Sequence, residues 1–168
     1  DPSPFAKMAA EKYKIKIFDY FYDENFKNKY DIVIHHNVLE HVEDPFLMIN
    51  QNYENLNDGG RIFIAVPDCS DQIENGDLSM VWHEHISYFD EESLANLLLQ
   101  KGFKDINVSK SNFGGLLYAT GLKSSCKSIQ QLDQNNNKKF SKFIEKHQKR
   151  LIKIKSYFNQ VLSNPSNR

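Results

Sequence analysis

The sequence predicts an α/β fold, an open sheet wound by helices on both faces. Two observations carry that expectation. Short apolar runs, DIVIHH at residues 31–36 and RIFIAVP at residues 61–67, read as buried parallel strands rather than as alternating half-exposed ones. Helix openings stand between and after them, at Asp44-Pro45 and at Asp90, each followed by apolar residues at helical spacing.

Taken in order, the chain starts with a helix. Ser3 can cap it, Pro4 suits its first turn, and Phe5, Met8, Ala9 and Tyr13 recur on one side. KIKIF, residues 14–18, is expected as a strand, and DIVIHH as the next one. The helix opened at Asp44-Pro45 aligns Phe46, Ile49, Tyr53 and Leu56, and is expected to stop at DGG, residues 58–60. RIFIAVP then returns as a strand. Asp90 caps a helix whose Leu94, Leu97 and Leu98 face a core before Gly102 ends it. FKDINVSK and GLLYATGLK close the sheet as a strand pair. Sheets of this order bind ligands at the carboxyl ends of their strands.

Beyond Lys123 the composition changes. SSCKSIQQLDQNNNKK is polar, so residues 123–137 read as a linker or loop after a unit spanning residues 1–122. Residues 138–168 read as a basic amphipathic helix, with Phe140, Phe143, Ile144, His147, Leu151, Ile154 and Phe158 at spacings of three and four. Basic residues exceed acidic ones there by about eight. Such a helix is either solvated and packed on a neighbour, or directed at an acidic partner.

The 168 residues, 40% hydrophobic and 12% aromatic, suffice for one packed domain. A formal charge of −1 argues against a general nucleic-acid or membrane binder. Two cysteines, Cys69 and Cys126, exclude a disulfide scaffold and a complete cysteine zinc site, and a reducing cytoplasm is the default. No apolar run is long enough to span a bilayer, and DPSPFAKM has neither a basic leader nor an apolar signal core. With no initiator Met, the chain is expected to begin inside a larger protein.

One stretch answers to no folding rule. MVWHEHISYF, residues 80–89, sets His83, Glu84 and His85 between an indole and a phenol, and these fit neither an apolar stripe nor a turn signature.

Several local signatures together resemble the class I methyltransferases that use S-adenosylmethionine. DPSP at residues 1–4 looks like the family position where an acid, here Asp1, holds the ribose hydroxyls of the cofactor. Asp19 and Tyr20 stand where the family places an adenine-binding acid and an apolar neighbour. YDIVIHHNVLEHVEDP, residues 30–45, resembles the family's fourth strand and the loop after it, which implies that His36, Asn37 and Val38 line the cofactor. Glu40 and His41 match the family's LEHV pattern, where they brace the loop. HEHISYFDEESLANLLLQKGF, residues 83–103, and NFGG, residues 112–115, narrow the resemblance to sugar C-methyltransferases acting on nucleotide-linked 4-keto-deoxysugars.

The resemblance implies a Rossmann-like methyltransferase sheet, incomplete at its N-terminal half, because the family's glycine-rich first loop lies outside residues 1–168. It also implies an upstream zinc module and a downstream sugar-nucleotide domain, so the chain is expected to be a middle piece. Where the subgroup carries a tyrosine two residues before the glutamate, this chain has Trp82.

Methylating carbon requires a base to remove a proton beside a ketone. Histidine suits that role, so His85 is the expected base, with Glu84 as partner or rival. Adjacent residues of an extended segment point opposite ways, so chain order does not decide between them. Trp82, His83 and Tyr88 are expected to meet the substrate; Tyr88 either donates to a sugar hydroxyl or packs its ring. Gly114 and Gly115 let backbone approach the sugar, or simply form a hairpin turn. The HEH cluster could also cap the Asp90 helix. Asp68 and Cys69, just past a strand end, could line the pocket, with Cys69 inert. A metal on His83 and His85, joined by His35, His36 or His41, is not expected, because no cysteine or carboxylate set completes it.

The expected activity is therefore methyl transfer from S-adenosylmethionine to a carbon of a nucleotide-sugar. Transfer to a hydroxyl of a sugar or surface-polysaccharide precursor is one alternative. A non-catalytic fragment is another.

Overall fold

The computed structural model describes residues 3–18, 26, 28–124 and 136–163. Asp1, Asp19, Tyr20 and Cys126 lie outside them. The elements run α1 (Pro4–Tyr13), β1 (Tyr30–His36), a 3-10 turn at Leu39–His41, α2 (Pro45–Asn55), β2 (Leu56–Pro67), α3 (Ser70–Asn75), a second 3-10 turn at Leu78–Met80, α4 (Glu91–Gln100), β3 (Phe103–Lys110), β4 (Leu116–Lys123) and α5 (Asn136–Ser163).

The four strands form one mixed sheet in the order β1-β2-β4-β3. β1 and β2 run parallel, with His36 opposite Ala65. Helix α2 supplies the crossover that a parallel pair needs. β4 lies antiparallel to both β2 and β3. This is the mixed α/β architecture that the sequence predicts.

The helix starts follow from local chemistry. The Ser3 hydroxyl accepts from the Ala6 amide at 3.2 Å, and the Asp44 carboxylate accepts from Leu47 at 2.9 Å. Asp90 accepts from the Ser93 amide at 2.8 Å while the Ser93 hydroxyl accepts from the Asp90 amide at 2.9 Å, a reciprocal capping box. Each cap satisfies amide hydrogens that the first helical turn leaves without partners.

The core lies on one side of the sheet. Ile62, Ile64 and Val66 of β2, Leu117 and Ala119 of β4 and Phe103 of β3 meet Ile49 and Tyr53 of α2 and Leu94, Leu97 and Leu98 of α4. Gly121 sits where a side chain would meet Phe103 at 3.1 Å, so glycine there lets that side chain pack closely on the strand.

Four expectations change. KIKIF forms no strand: Lys14 caps α1 in the left-handed conformation, and residues 15–18 are irregular. The edge of β1 away from β2 is unpaired among the described residues, and an extended segment without a partner is not a strand. DGG does not follow a helix end but lies inside β2, where the register with β1 shifts. Gly59 takes φ +80°, and a side chain on Gly60 would come within 2.8 Å of the Asn57 carbonyl. The two glycines therefore make an irregular strand entry, not a helix stop. Finally, the packed helices α2 and α4 cover one face; on the other, Ile32, Ile34, Phe63 and Tyr118 are exposed, so β1 and β2 are half-exposed strands and not the buried ones expected. Phe46 also leaves its expected core stripe and is exposed under the Lys101 ammonium.

Helix α5 begins at Asn136 and seats its first half on α3 and the turn after it. Lys139 bonds Asp90 at 2.9 Å and also pairs with Glu92, while Lys146 meets Glu74 at 2.6 Å and Arg150 meets Asp77 at 2.9 Å. The helix backbone lies directly on Gly76, where any side chain would strike the His147 amide. Its far half projects, with Ile152, Tyr157, Phe158 and Leu162 exposed. Among the described residues no helix is long and apolar enough to cross a membrane.

Two predictions follow from this packing. Leu98 is fully buried between α4 and the sheet, so Leu98→Ala is expected to destabilise the chain by about 2–5 kcal/mol in urea unfolding. The second concerns Asp90. Burial pushes its carboxyl up, but bonds from Ser93 and Lys139 outweigh burial and hold it below its ordinary value. A depressed carboxylate stabilises above its unfolded pKa of about 4 and loses that contribution as pH falls through the folded value. Thermal stability is therefore expected to fall below about pH 4, and Asp90→Asn should flatten that part of the profile.

Candidate functional site

The site is built at the carboxyl ends of β1 and β2. Where β1 stops, Asn37 takes φ +51°, an uncommon conformation for a residue with a side chain, and its amide donates to the Ala65 carbonyl at 2.9 Å. The chain thus stays tied to β2 for one residue and then turns away. His36, Asn37 and Val38 are all exposed at this strand end. The next two residues go inward: Leu39 is completely buried and Glu40 is 1% exposed.

The Trp82–Tyr88 segment docks on that 3-10 turn. The amides of Ile86 and Ser87 both donate to the Glu40 carbonyl, at 2.8 and 3.1 Å. The His41 ring donates through Nδ1 to the Glu84 carbonyl at 2.9 Å. Phe89 then bridges to Asp68, and its carbonyl accepts from the Cys69 amide at 3.0 Å. One segment is therefore pinned to the ends of both parallel strands.

The segment is not extended, which corrects the basis on which the two neighbouring side chains were to be compared. The His85 amide donates to the Trp82 carbonyl at 3.0 Å, closing a turn over His83 and Glu84. As a result Glu84 swings toward His83 at 3.5 Å, with the two side chains 70% and 86% exposed. His85 goes the other way. Its ring meets that of His41 edge to face, centroids 4.9 Å apart, and lies 6.3 Å from the Tyr88 ring. The Tyr88 hydroxyl donates to the His85 carbonyl at 3.0 Å. Trp82 is mostly exposed.

The loop carrying the other expected contacts approaches from β3 and β4. Gly114 and Gly115 both take φ +75° between these strands, with open space where side chains would stand. The Gly115 carbonyl accepts from the Asp68 amide at 3.0 Å, which ties this turn to the end of β2. Asp68 is held by Ser70 and by Lys110 at 3.3 Å. Burial raises its carboxyl, but those bonds prevail and leave it below its ordinary value. Burial likewise pushes the Cys69 thiol up, which keeps it protonated and poorly nucleophilic.

The sequence assigned Glu40 and His41 to bracing, and raised His41 otherwise only as one of three histidines that could join His83 and His85 on a metal. The structure gathers them with His85: a carboxylate oxygen and two ring nitrogens all lie within 4.8 Å of one another. The proximity of Glu40 and His41 was visible in LEHV. Their meeting with a residue 44 positions further on was not, because it depends on how the sheet brings the two segments together.

Solved structures share this architecture. A Thermotoga maritima S-adenosylmethionine-dependent methyltransferase superposes with a TM-score of 0.58 at 19% identity, covering 74% of this chain and 72% of that one. A Listeria monocytogenes protein named as an S-adenosylmethionine-dependent methyltransferase gives 0.52 at 16% identity, over 74% and 78%. The CurJ carbon methyltransferase gives 0.54 at 15%, over 72% of this chain and 39% of its own length. These likenesses establish the fold. No curated protein matches the sequence. Residues 1–108 match the family described as methyltransferase domain, well over half of the chain. The chain belongs to this methyltransferase-domain family, and two of the solved structures that share its fold are named as S-adenosylmethionine-dependent.

Proposed function

We propose that the chain transfers a methyl group to the carbon beside the ketone of a nucleotide-linked deoxysugar, with His85 as the base. The observation that carries this reading is the position of the His85 imidazole. It stands on a segment pinned to both strand ends, next to the loop that follows His36–Val38.

That loop suits the cofactor. Three consecutive exposed side chains at an open strand end, turned outward by the left-handed Asn37, leave room for a bound molecule where open α/β sheets take their ligands. His36, Asn37 and Val38 would hold its methionine end. When bound, the cofactor supplies an electrophilic methyl on sulfur.

The protein's own task is to make the acceptor nucleophilic. His85 takes the proton from the acceptor carbon, a role that an imidazole suits. Tyr88 holds the His85 backbone through its hydroxyl, and its ring lies 6.3 Å from the imidazole. Glu84, turned to solvent and His83, would meet the acceptor's exposed portion rather than orient His85. The open space over Gly114 and Gly115 admits a bulky sugar. The deoxysugar itself rests on the resemblance carried by HEHISYF and NFGG.

The test supplies a keto-deoxysugar nucleotide in deuterated water. Deuterium is expected to enter the carbon beside the ketone without methyl donor, and methyl to follow when the donor is added. His85→Asn is expected to slow both by about 10²–10⁴-fold while donor binding persists. Undiminished exchange in that variant would remove His85 as the base. A product methylated on oxygen, read by NMR, would replace the carbon acceptor with a hydroxyl.

A further inference from the structure

We propose that Glu40, His41 and His85 form a binding site for a first-row divalent transition ion, of the kind represented by Zn²⁺. The donor set is two imidazole nitrogens and one carboxylate oxygen, all within 4.8 Å of one another. Such a mixed set suits Zn²⁺, Fe²⁺ or Ni²⁺ better than the oxygen-only ions Ca²⁺ and Mg²⁺. Three protein ligands also leave a fourth position open.

The tautomer of His41 already suits a ligand. Because Nδ1 donates to the Glu84 carbonyl, the lone pair of the neutral ring resides on Nε2, and Nε2 faces the Glu40 carboxylate at 3.6 Å. Two donors about 2.1 Å from one tetrahedral ion stand about 3.4 Å apart, so this pair needs almost no movement. His85 completes the set by a modest rotation of its half-buried ring. The backbone bonds from Ile86 and Ser87 to Glu40 hold the two segments together while it does so.

A second, independent observation points to the same ligand. The Glu40 side chain is 2% exposed, and its Oε2 has no hydrogen-bond partner among the described residues. A hydrogen-bonded brace from a protonated His41 would account for Oε1 but leave Oε2 buried and unsatisfied, which is costly. A cation on the carboxylate removes that penalty. The His41 side chain is 38% exposed, which provides an entry path.

The ion and the proposed base compete. A His85 nitrogen that gives its lone pair to a metal cannot accept a proton, so an occupied site stops the proton transfer described above. This consequence alone rests on His85 being the base.

The test is calorimetric titration of the tag-free 168-residue chain with Zn²⁺, alongside Glu40→Gln, His85→Ala and His83→Ala. One ion per chain is expected, with affinity reduced at least tenfold, about 1.4 kcal/mol, in the first two variants and unchanged in the third. Circular dichroism checks that Glu40→Gln, a buried change, still folds; His85→Ala, on a half-buried ring, provides the second measurement if it does not. Absence of binding in the parent chain, or affinity in Glu40→Gln and His85→Ala equal to the parent's, overturns the site. Methyl transfer is expected to fall with the same Zn²⁺ midpoint. Binding without inhibition would leave the ion site standing and remove His85 as the base, so the two readings fail separately.

Discussion

Two amide hydrogens, of Ile86 and Ser87, converge on the carbonyl of Glu40, and the geometry of the strand-end site depends on that junction. Without it the 82–88 segment would be a surface loop. With it, the turn after Trp82 is oriented, His85 is pressed against His41, and Glu84 is sent outward. The carbonyl can serve because Leu39 and Glu40 are buried in a tight 3-10 turn that holds their backbone in place. A buried carbonyl with two donors is well satisfied, which makes the junction hard to open.

The core explains why the junction sits where it does. β1 and β2 are parallel and end together, and α2 and α4 press the same face of the sheet. Phe89, buried at the end of the docking segment, joins that core and ties the start of α4 to the end of β2. The site is therefore an extension of the packing rather than an appendage to it. Helix α5 reinforces the same region from outside through ion pairs to Asp90 and Glu92 at the α4 start and to Glu74 and Asp77 around α3. Exposed pairs of this kind are individually weak, so the seat of α5 is the part of the structure most responsive to salt and acid.

The buried charge at Glu40 is the feature that packing alone does not explain. Cores usually exclude a carboxylate unless its oxygens are paired. Here one oxygen faces an imidazole and the other faces none among the described residues, beside a second imidazole from a distant segment. The same arrangement underlies both the proposed proton transfer at His85 and the proposed ion site. It makes these two properties compete at one nitrogen.

What the sequence determined by itself was local. Ser3, Asp44 and Asp90 cap helices because a cap acts over three residues, and DIVIHH and RIFIAVP become strands because their β-branched and aromatic residues suit extended backbone, although Ile32, Ile34 and Phe63 stay exposed. The LEHV and HEH stretches could likewise be singled out as unusual from composition and family likeness. Tertiary structure decided the rest. KIKIF has no strand partner among the described residues, DGG became an irregular strand entry because of where β1 lies, and the Trp82–His85 turn sent Glu84 toward solvent and His85 against His41. Each of these outcomes depends on contacts between residues far apart in the chain, and the order of residues states no such distance until the sheet has formed.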